Sequence, residues 1–506
     1  MKNHVYKTFL LTLLVVVMLI GLFYLPRISV GDTTLRRVNM LSEVQKRDNL
    51  GRVVAEVRAD SAEGIVEQVL DSAAVKVESA VIVDSLPEGM VGIEDFSLVG
   101  REMDKFYSAL NSCGSRLVRV AYFGDSFIEG DILTSDLRHL LQSEYGGKGV
   151  GWVDIEHIAS GFRRTVRTSA SGWAAHHSND SHGKGYRASC AGISGNYFIP
   201  AVTGWVKIET QNNVYGKELS EADVATVFYS AGGGLNLTLA INGGEEKVVS
   251  GSSAMPSNPA PVYDTMYVPT DSVDEYGDTI MKKVVVKREV QPAVSSAPVD
   301  SAILTEKVVG PVRSIELKAH GSSRFYGVAF DGHHGVAVDN FSTRGSDGSF
   351  ISALPVSTLR QFARVRSYDL IVLHFGLNVA SAKVKDYSYY TRRMITAVNH
   401  LKQCFPSASI LIVGLGDRDQ RGADGGFHTM SGVKELVAYQ RKMAADTHVA
   451  FWNLYEAMGG DGSMAKMKEN KQANLDYTHI NFAGGKHLAQ LLFDVLMNGK
   501  SNYDKR

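Results

Sequence analysis

Cysteine is scarce in this chain of 506 residues: there are three, at 113, 190 and 404, an odd number and widely spaced. At most one disulfide can form, which excludes a disulfide-stapled scaffold. An excess of one charge is lacking too. Fifty-three Lys and Arg balance 54 Asp and Glu, for a net charge of −1 and a pI near 7.0, so there is no cationic surplus to neutralise phosphates and no nucleic-acid partner is expected. Metal-ligand spacing is missing as well. His176, His177 and His182 form the one dense His group, with no paired Cys and no His-Glu-x-x-His companion, and read as a polar loop. No Gly-x-Ser-x-Gly occurs, which disfavours an α/β-hydrolase elbow. Neither metal nor cofactor is expected.

Long apolar runs are absent with one exception. After Lys2, His4 and Lys7, the 18 residues Thr8 to Leu25 carry no charge and end before Pro26. As a helix they would be roughly 27 Å long, nearly enough to cross a bilayer core. The flank has no small-x-small cleavage site, so residues 1–30 are expected to be an uncleaved N-terminal transmembrane anchor. That places the rest of the chain in the cell envelope, outside the inner membrane. Residues 31–95 read as an acidic stalk, since 41–100 hold 12 acidic and 5 basic side chains and few aromatics. A short helix around 61–75 is expected within it.

Beyond the stalk the pattern falls into three parts. A strand at 117–123 and an amphipathic helix near 132–145 open the first, residues 96–160. From 161 to about 320, short alternating runs separated by Gly, Asn and Ser predict an inserted antiparallel β-sandwich. Six of the 12 prolines fall between Pro256 and Pro298, so about 251–305 reads as a long loop. In 321–506 strands at 336–340, 369–375, 410–414 and 450–454 alternate with helices near 355–364, 387–403, 431–445 and from 481 on. That alternation predicts an α/β domain with a doubly wound parallel sheet of about five strands.

The chemistry sits at the ends of those strands. The run Val-Arg-Val-Ala-Tyr-Phe ends in Gly124-Asp125-Ser126, and Asp476-Tyr-Thr-His479 precedes the closing helix. A serine hydroxyl is a poor nucleophile until an imidazole takes its proton, and a carboxylate fixes that imidazole's tautomer. Taken singly, the first motif is also an ordinary turn and the second an ordinary helix cap. Two further segments join them. Asn378 follows the buried run from Asp369, and the glycine-rich Arg344-Gly-Ser-Asp-Gly348-Ser follows another strand. A Gly N–H and an Asn amide suit the oxyanion of an acyl-transfer intermediate.

Ser126, Gly348, Asn378 and His479, in that order and with those local contexts, resemble the SGNH (GDSL-like) hydrolase superfamily. The resemblance implies a flavodoxin-like three-layer fold, with Ser126 as nucleophile, His479 as base and Asp476 as orienting acid. It also implies an oxyanion hole of the Ser126 and Gly348 N–H groups with the Asn378 amide. Gly345 is an alternative to Gly348, and Asp417 in Gly-Leu-Gly-Asp417 is a rival acid. His374 reads as a packed core residue. An SGNH domain interrupted by a jelly-roll-like, carbohydrate-binding module is similar to bacterial peptidoglycan O-acetylesterases. Gly-Asp-Ser126-x-x-x-Gly-Asp131 and Gly-x-Gly-Trp152 reinforce the likeness, and Trp173, Trp205 and Tyr197 are candidates for stacking on sugar. The implied function is a serine esterase acting on an O-acetylated polysaccharide substrate. Two alternatives stay open: an O-acetyltransferase served by a membrane-bound acyl donor partner, and an inactive glycan-binding envelope protein.

Overall fold

Seven strands make the central sheet, and five of them run parallel because each is buried on both faces. The computed structural model describes residues 82–506 apart from 158–160, 180–184, 213, 231–233, 250–264, 274–278 and 286–301. Before residue 82 it describes only the antiparallel pair Ser29–Val30 and Thr33–Thr34. The anchor expected at 8–25 and the helix expected at 61–75 therefore lie outside the described residues. Among the described residues no helix is long and apolar enough to cross a membrane.

In chain order the sheet strands are β1 (Ile82–Val83), β2 (Ile93–Asp95), β3 (Leu117–Gly124), β4 (Gly335–Ser342), β5 (Leu370–His374), β6 (Ser409–Val413) and β7 (Ala450–Trp452). Across the sheet the order is β4-β3-β5-β6-β7-β2-β1. β3 to β7 are mutually parallel, while β2 and β1 add antiparallel at one edge. Residues 82–95, assigned to the stalk by composition, thus complete the sheet. Strands of two and three residues leave no periodicity to read. Runs such as Leu-Ile-Val-Leu-His in β5 are apolar without alternation and wholly buried, as a sheet covered on both faces requires.

Helices α1 (Asp104–Leu110), α2 (Thr134–Tyr145), α3 (Val356–Val365), α4 (Ser388–Cys404), α5 (Gly432–Thr447) and α6 (Phe482–Asp504) fill the connections. Numbered along the chain, the five parallel strands lie in the order 2-1-3-4-5. The order reverses between β3 and β5, and in doubly wound sheets ligands bind at such a switch point, at the carboxyl ends of the strands.

Between α2 and β4 the chain builds a nine-stranded antiparallel network. Val166–His176, Tyr197–Thr210, Ser314–His320, Asn236–Ile241 and Lys247–Val248 pair in that order. Gly151–Val153, Phe325–Asp331, Ala222–Ser230 and Ile303–Val312 form a second run, joined to the first at Phe198 and Phe325. One apolar core holds Val206, Ile208, Leu237, Leu239, Ile315 and Leu317 from the first run with Ala225, Val227, Val328 and Phe330 from the second. Strand pairing carries this sheet from Gly151 to Asp331, wider at both ends than the 161–320 read from the sequence. The stretch read as loop also differs: Thr265–Val273 and Thr279–Val285 form a two-stranded hairpin.

The outer face of the second run packs on the α/β part, where the ring of Phe228 lies 6.2 Å from that of Phe362 in α3. Buried ion pairs clamp both ends of the insert. Near its start, Asp131 takes Arg138 at 3.0 Å and Arg163 at 2.8 Å; at its end, Arg366 takes both Asp331 and Asp339 at 2.6 Å.

Candidate active site

β3 delivers Ser126 through a turn that only glycine permits at its entrance. A Cβ on Gly124 would stand 2.8 Å from the Ile128 side chain and 2.9 Å from the His374 carbonyl oxygen. Asp125 then turns inward and is buried. Its Oδ1 accepts the Phe127 N–H at 3.0 Å and its Oδ2 the Leu377 N–H at 3.2 Å. Ser126 is left at the sheet edge, mostly covered, with its Oγ 3.0 Å from Nε2 of His479.

The imidazole comes from a turn stiffened by its own acid. Asp476 Oδ1 accepts the N–H groups of Thr478 and His479, each at 2.9 Å, and Oδ2 lies 2.5 Å from Nδ1 of His479. Tyr477 between them adopts φ +53°, an unusual conformation for a tyrosine, held by stacking on Phe427 with centroids 3.5 Å apart. Burial opposes ionisation of Asp476, but hydrogen bonds from the His479 ring and backbone and from the Thr478 N–H outweigh it and hold the carboxyl below its ordinary value. An ionised carboxylate only accepts, so Nδ1 carries the ring proton and Nε2 is free to receive the serine's. Ser126, His479 and Asp476 therefore stand in proton-relay contact, although 353 positions separate the first two.

The candidate oxyanion donors differ in which N–H is already occupied. Asn378 is exposed at the end of the β5 loop, and its Nδ2 donates to the Ser346 carbonyl at 3.0 Å, which orients the amide and leaves its second N–H. Gly348 is buried, its N–H donates to Ser346 Oγ at 3.0 Å, and a Cβ there would meet the Phe375 ring at 2.6 Å. Gly345 is exposed, with φ +74°, a Cβ there would stand 3.7 Å from the Asn179 side-chain amide, and its N–H takes no partner among the described residues. The segment carrying it runs beside the nucleophile turn: Ser342 pairs with Gly124, and the Thr343 N–H donates to the Gly124 carbonyl at 2.9 Å. Gly345, not Gly348, has the N–H available at this edge.

Asp417 does not reach the imidazole. It is fully buried and accepts from Thr429 Oγ1 at 2.8 Å, Ser463 Oγ at 3.2 Å and the Met464 N–H at 3.0 Å. Its neighbour Asp419 is raised to about 6 by burial and by the Asp417 charge. Asp419 begins a hairpin, Asp419–Arg421 with Phe427–Thr429, whose Phe427 carries the Tyr477 stack and whose Asp419 N–H donates to the Tyr477 carbonyl at 2.9 Å. This support of the histidine loop was not foreseen, because six residues of hairpin carry no local signal. His374 is a core residue as read: it is buried, its Nδ1 lies 3.1 Å from the Tyr122 hydroxyl, and burial pushes it down to about 3.

Outside the site, Trp173 and Tyr197 are buried in the insert. Trp205 is partly exposed and donates to Glu316 at 2.7 Å. His176 belongs to a strand and stacks on Tyr197 at 4.5 Å, in place of the expected loop, while His182 lies outside the described residues. All three cysteines are buried and free.

No family model matches this sequence, and no curated protein matches it. The architecture does have a counterpart. A solved structure of a peptidoglycan O-acetylesterase aligns with 81% of this chain and 99% of its own, with a TM-score of 0.58 and 18% identity. The chain shares the fold of that esterase. The alignment is long enough to take in β-rich insert as well as α/β domain. A family two carbohydrate esterase from Clostridium thermocellum aligns with 65% of this chain and 100% of its own at 12% identity, but its TM-score of 0.26 is too low to bear on the fold.

Proposed function

We propose that the protein is a serine esterase that removes O-acetyl groups from a cell-envelope or other polysaccharide through an acyl-enzyme at Ser126. The observation that carries this reading is the contact of Ser126 Oγ with Nε2 of His479 at 3.0 Å, with Asp476 at 2.5 Å behind the ring.

His479 takes the hydroxyl proton as Ser126 Oγ adds to the ester carbonyl. The oxyanion that forms is met by the N–H groups of Ser126 and Gly345 and by the Asn378 amide. The sugar alkoxide then leaves with the proton from His479, and water, deprotonated by the same ring, cleaves the acetyl-serine. The polysaccharide is suggested by the fold shared with a peptidoglycan O-acetylesterase. The uncharged run Thr8 to Leu25 supports a membrane-anchored envelope location, where a membrane acyl donor would turn the same acyl-enzyme toward transfer.

The test is Ser126→Ala, assayed on acetylated peptidoglycan, acetylated xylan and an aryl acetate, each with and without an acceptor sugar. Loss of released acetate with an unchanged melting curve is the expected result. Full turnover in that variant would end the proposal, and acetate appearing on the acceptor would move it to transfer.

A further inference from the structure

The histidine loop borders an open groove of about 630 Å³ between α2 and the start of α6. Its walls include Arg164, Lys471 and Lys486, all exposed, and none of the three forms an ion pair among the described residues. The groove's one acid, Asp136, is buried, and the Tyr215 hydroxyl hydrogen-bonds to it. Three cations thus face solvent with one buried carboxyl, Asp136, near enough to feel Lys486 and Arg164, an excess of positive charge in a protein whose net charge is only −1. That is a local field and not an overall basic character.

The groove is built and lies beside the triad. Phe482 on its wall is three residues past His479, so their α-carbons are at most about 11 Å apart. Asn481 caps α6, accepting the Ala483 and Gly484 N–H groups, and its amide donates to the Lys471 carbonyl at 3.0 Å. This fixes the backbone that carries one cation. The Arg164 guanidinium lies 3.6 Å over the Phe482 ring, which fixes another. Lys468 continues the positive track, with its ammonium 5.7 Å from the ring of Tyr477, inside the Asp476–His479 turn.

We infer that this groove binds an anionic glycan, a strand whose sugars carry carboxylate or other acidic groups, and holds it so that a neighbouring ester meets Ser126. The inference rests on the esterase reading of the same site. A solvated carboxylate gains from several unpaired cations in a concave, partly apolar wall, whereas a neutral glycan gains nothing from them. Selectivity therefore falls on acidic polymers and weakens as salt screens the field over about 10 Å at 0.1 M.

The test uses the intact protein and unacetylated oligosaccharides, so that binding is read without turnover. Calorimetry compares oligogalacturonate, a sulfated dextran oligomer and cellohexaose against the native protein, Lys471→Ala with Lys486→Ala, and a control with Lys434→Ala and Lys442→Ala on α5. The expected result is tighter binding of an acidic oligomer than of cellohexaose, weakened roughly tenfold by the groove pair and unchanged by the control pair. Oligogalacturonate outbinding the sulfated oligomer identifies carboxylate as the group read, and the reverse order identifies a stronger acid. Cellohexaose binding as tightly as both acidic oligomers, or an affinity indifferent to the groove lysines, overturns the inference. Hydrolysis of an aryl acetate by the same preparations is recorded separately. Its absence would sink the esterase reading and leave the binding result to stand or fall alone.

Discussion

The Leu377 N–H donates to the carboxylate of Asp125 across 3.2 Å of protein interior. The bond ties the turn that presents the nucleophile to the loop that presents Asn378, one residue beyond its donor. Two strand ends of separate chain segments are thereby held as one edge. The group that holds them is a buried acid with an altered proton affinity.

Burial raises the Asp125 carboxyl from 3.8 to about 6, although the N–H donors of Phe127 and Leu377 and the charge of His479 pull the other way. The folded chain therefore holds this proton more tightly than the unfolded chain. Its contribution to stability is fully present below pH 3.8 and is lost as pH rises through 6. Asp125→Asn removes the titration. The melting temperature of the native protein relative to that variant is expected to fall between pH 4 and pH 6 and then level off. An offset constant across that range would rule out this account of Asp125.

Asp476→Asn and Asp417→Asn should part company in kinetics. Only Asp476 contacts the imidazole, and an amide there favours the wrong ring tautomer, at a cost in kcat of about 10³ to 10⁴. Asp417 bonds to Thr429, Ser463 and Met464, so its amide variant is expected to keep kcat within a few-fold. Equal losses in the two variants would contradict the assignment.

Asn378→Ala deletes the amide proposed to meet the oxyanion, without touching the relay. The expected cost is about 2.7 to 4 kcal/mol in the barrier, seen in kcat with KM little changed. Steady-state rates on an aryl acetate measure it. A change confined to KM would make Asn378 a substrate-binding group only.

Arg366 is 1% exposed on its side chain and bonds to Asp331 and Asp339. Arg366→Met would leave buried Asp339 without its counter-ion and Asp331 with only Arg119 at 3.9 Å, and breaking such a buried pair costs about 3 to 5 kcal/mol. Because Asp331 ends the insert and Asp339 lies in β4, denaturant unfolding followed from both parts should shift together. Arg366→Lys should not restore the loss, since an ammonium cannot serve two carboxylates through a planar fork. A midpoint unchanged in Arg366→Met would refute the clamp.

Local chemistry wrote the central strands and the contact of Asp476 with His479 into the sequence. β5 and β6 are legible because a strand buried on both faces must be apolar throughout, and Asp476 and His479 because three residues let one turn join acid to imidazole. What the sequence could not decide was any choice between equals that depends on partners far along the chain. Gly345 and Gly348 differ only in which N–H is already taken by Ser346, and Asp476 and Asp417 in which carboxylate the fold brings to His479. β1 and β2 were missed because two or three residues have no period: β2 acquires its identity by pairing with β7, some 350 positions away, and β1 by pairing with β2. Hydrophobic patterning and turn chemistry act over a few residues, and so they can be read in order. Hydrogen-bond occupancy at a sheet edge is set by residues that meet only once the chain has folded.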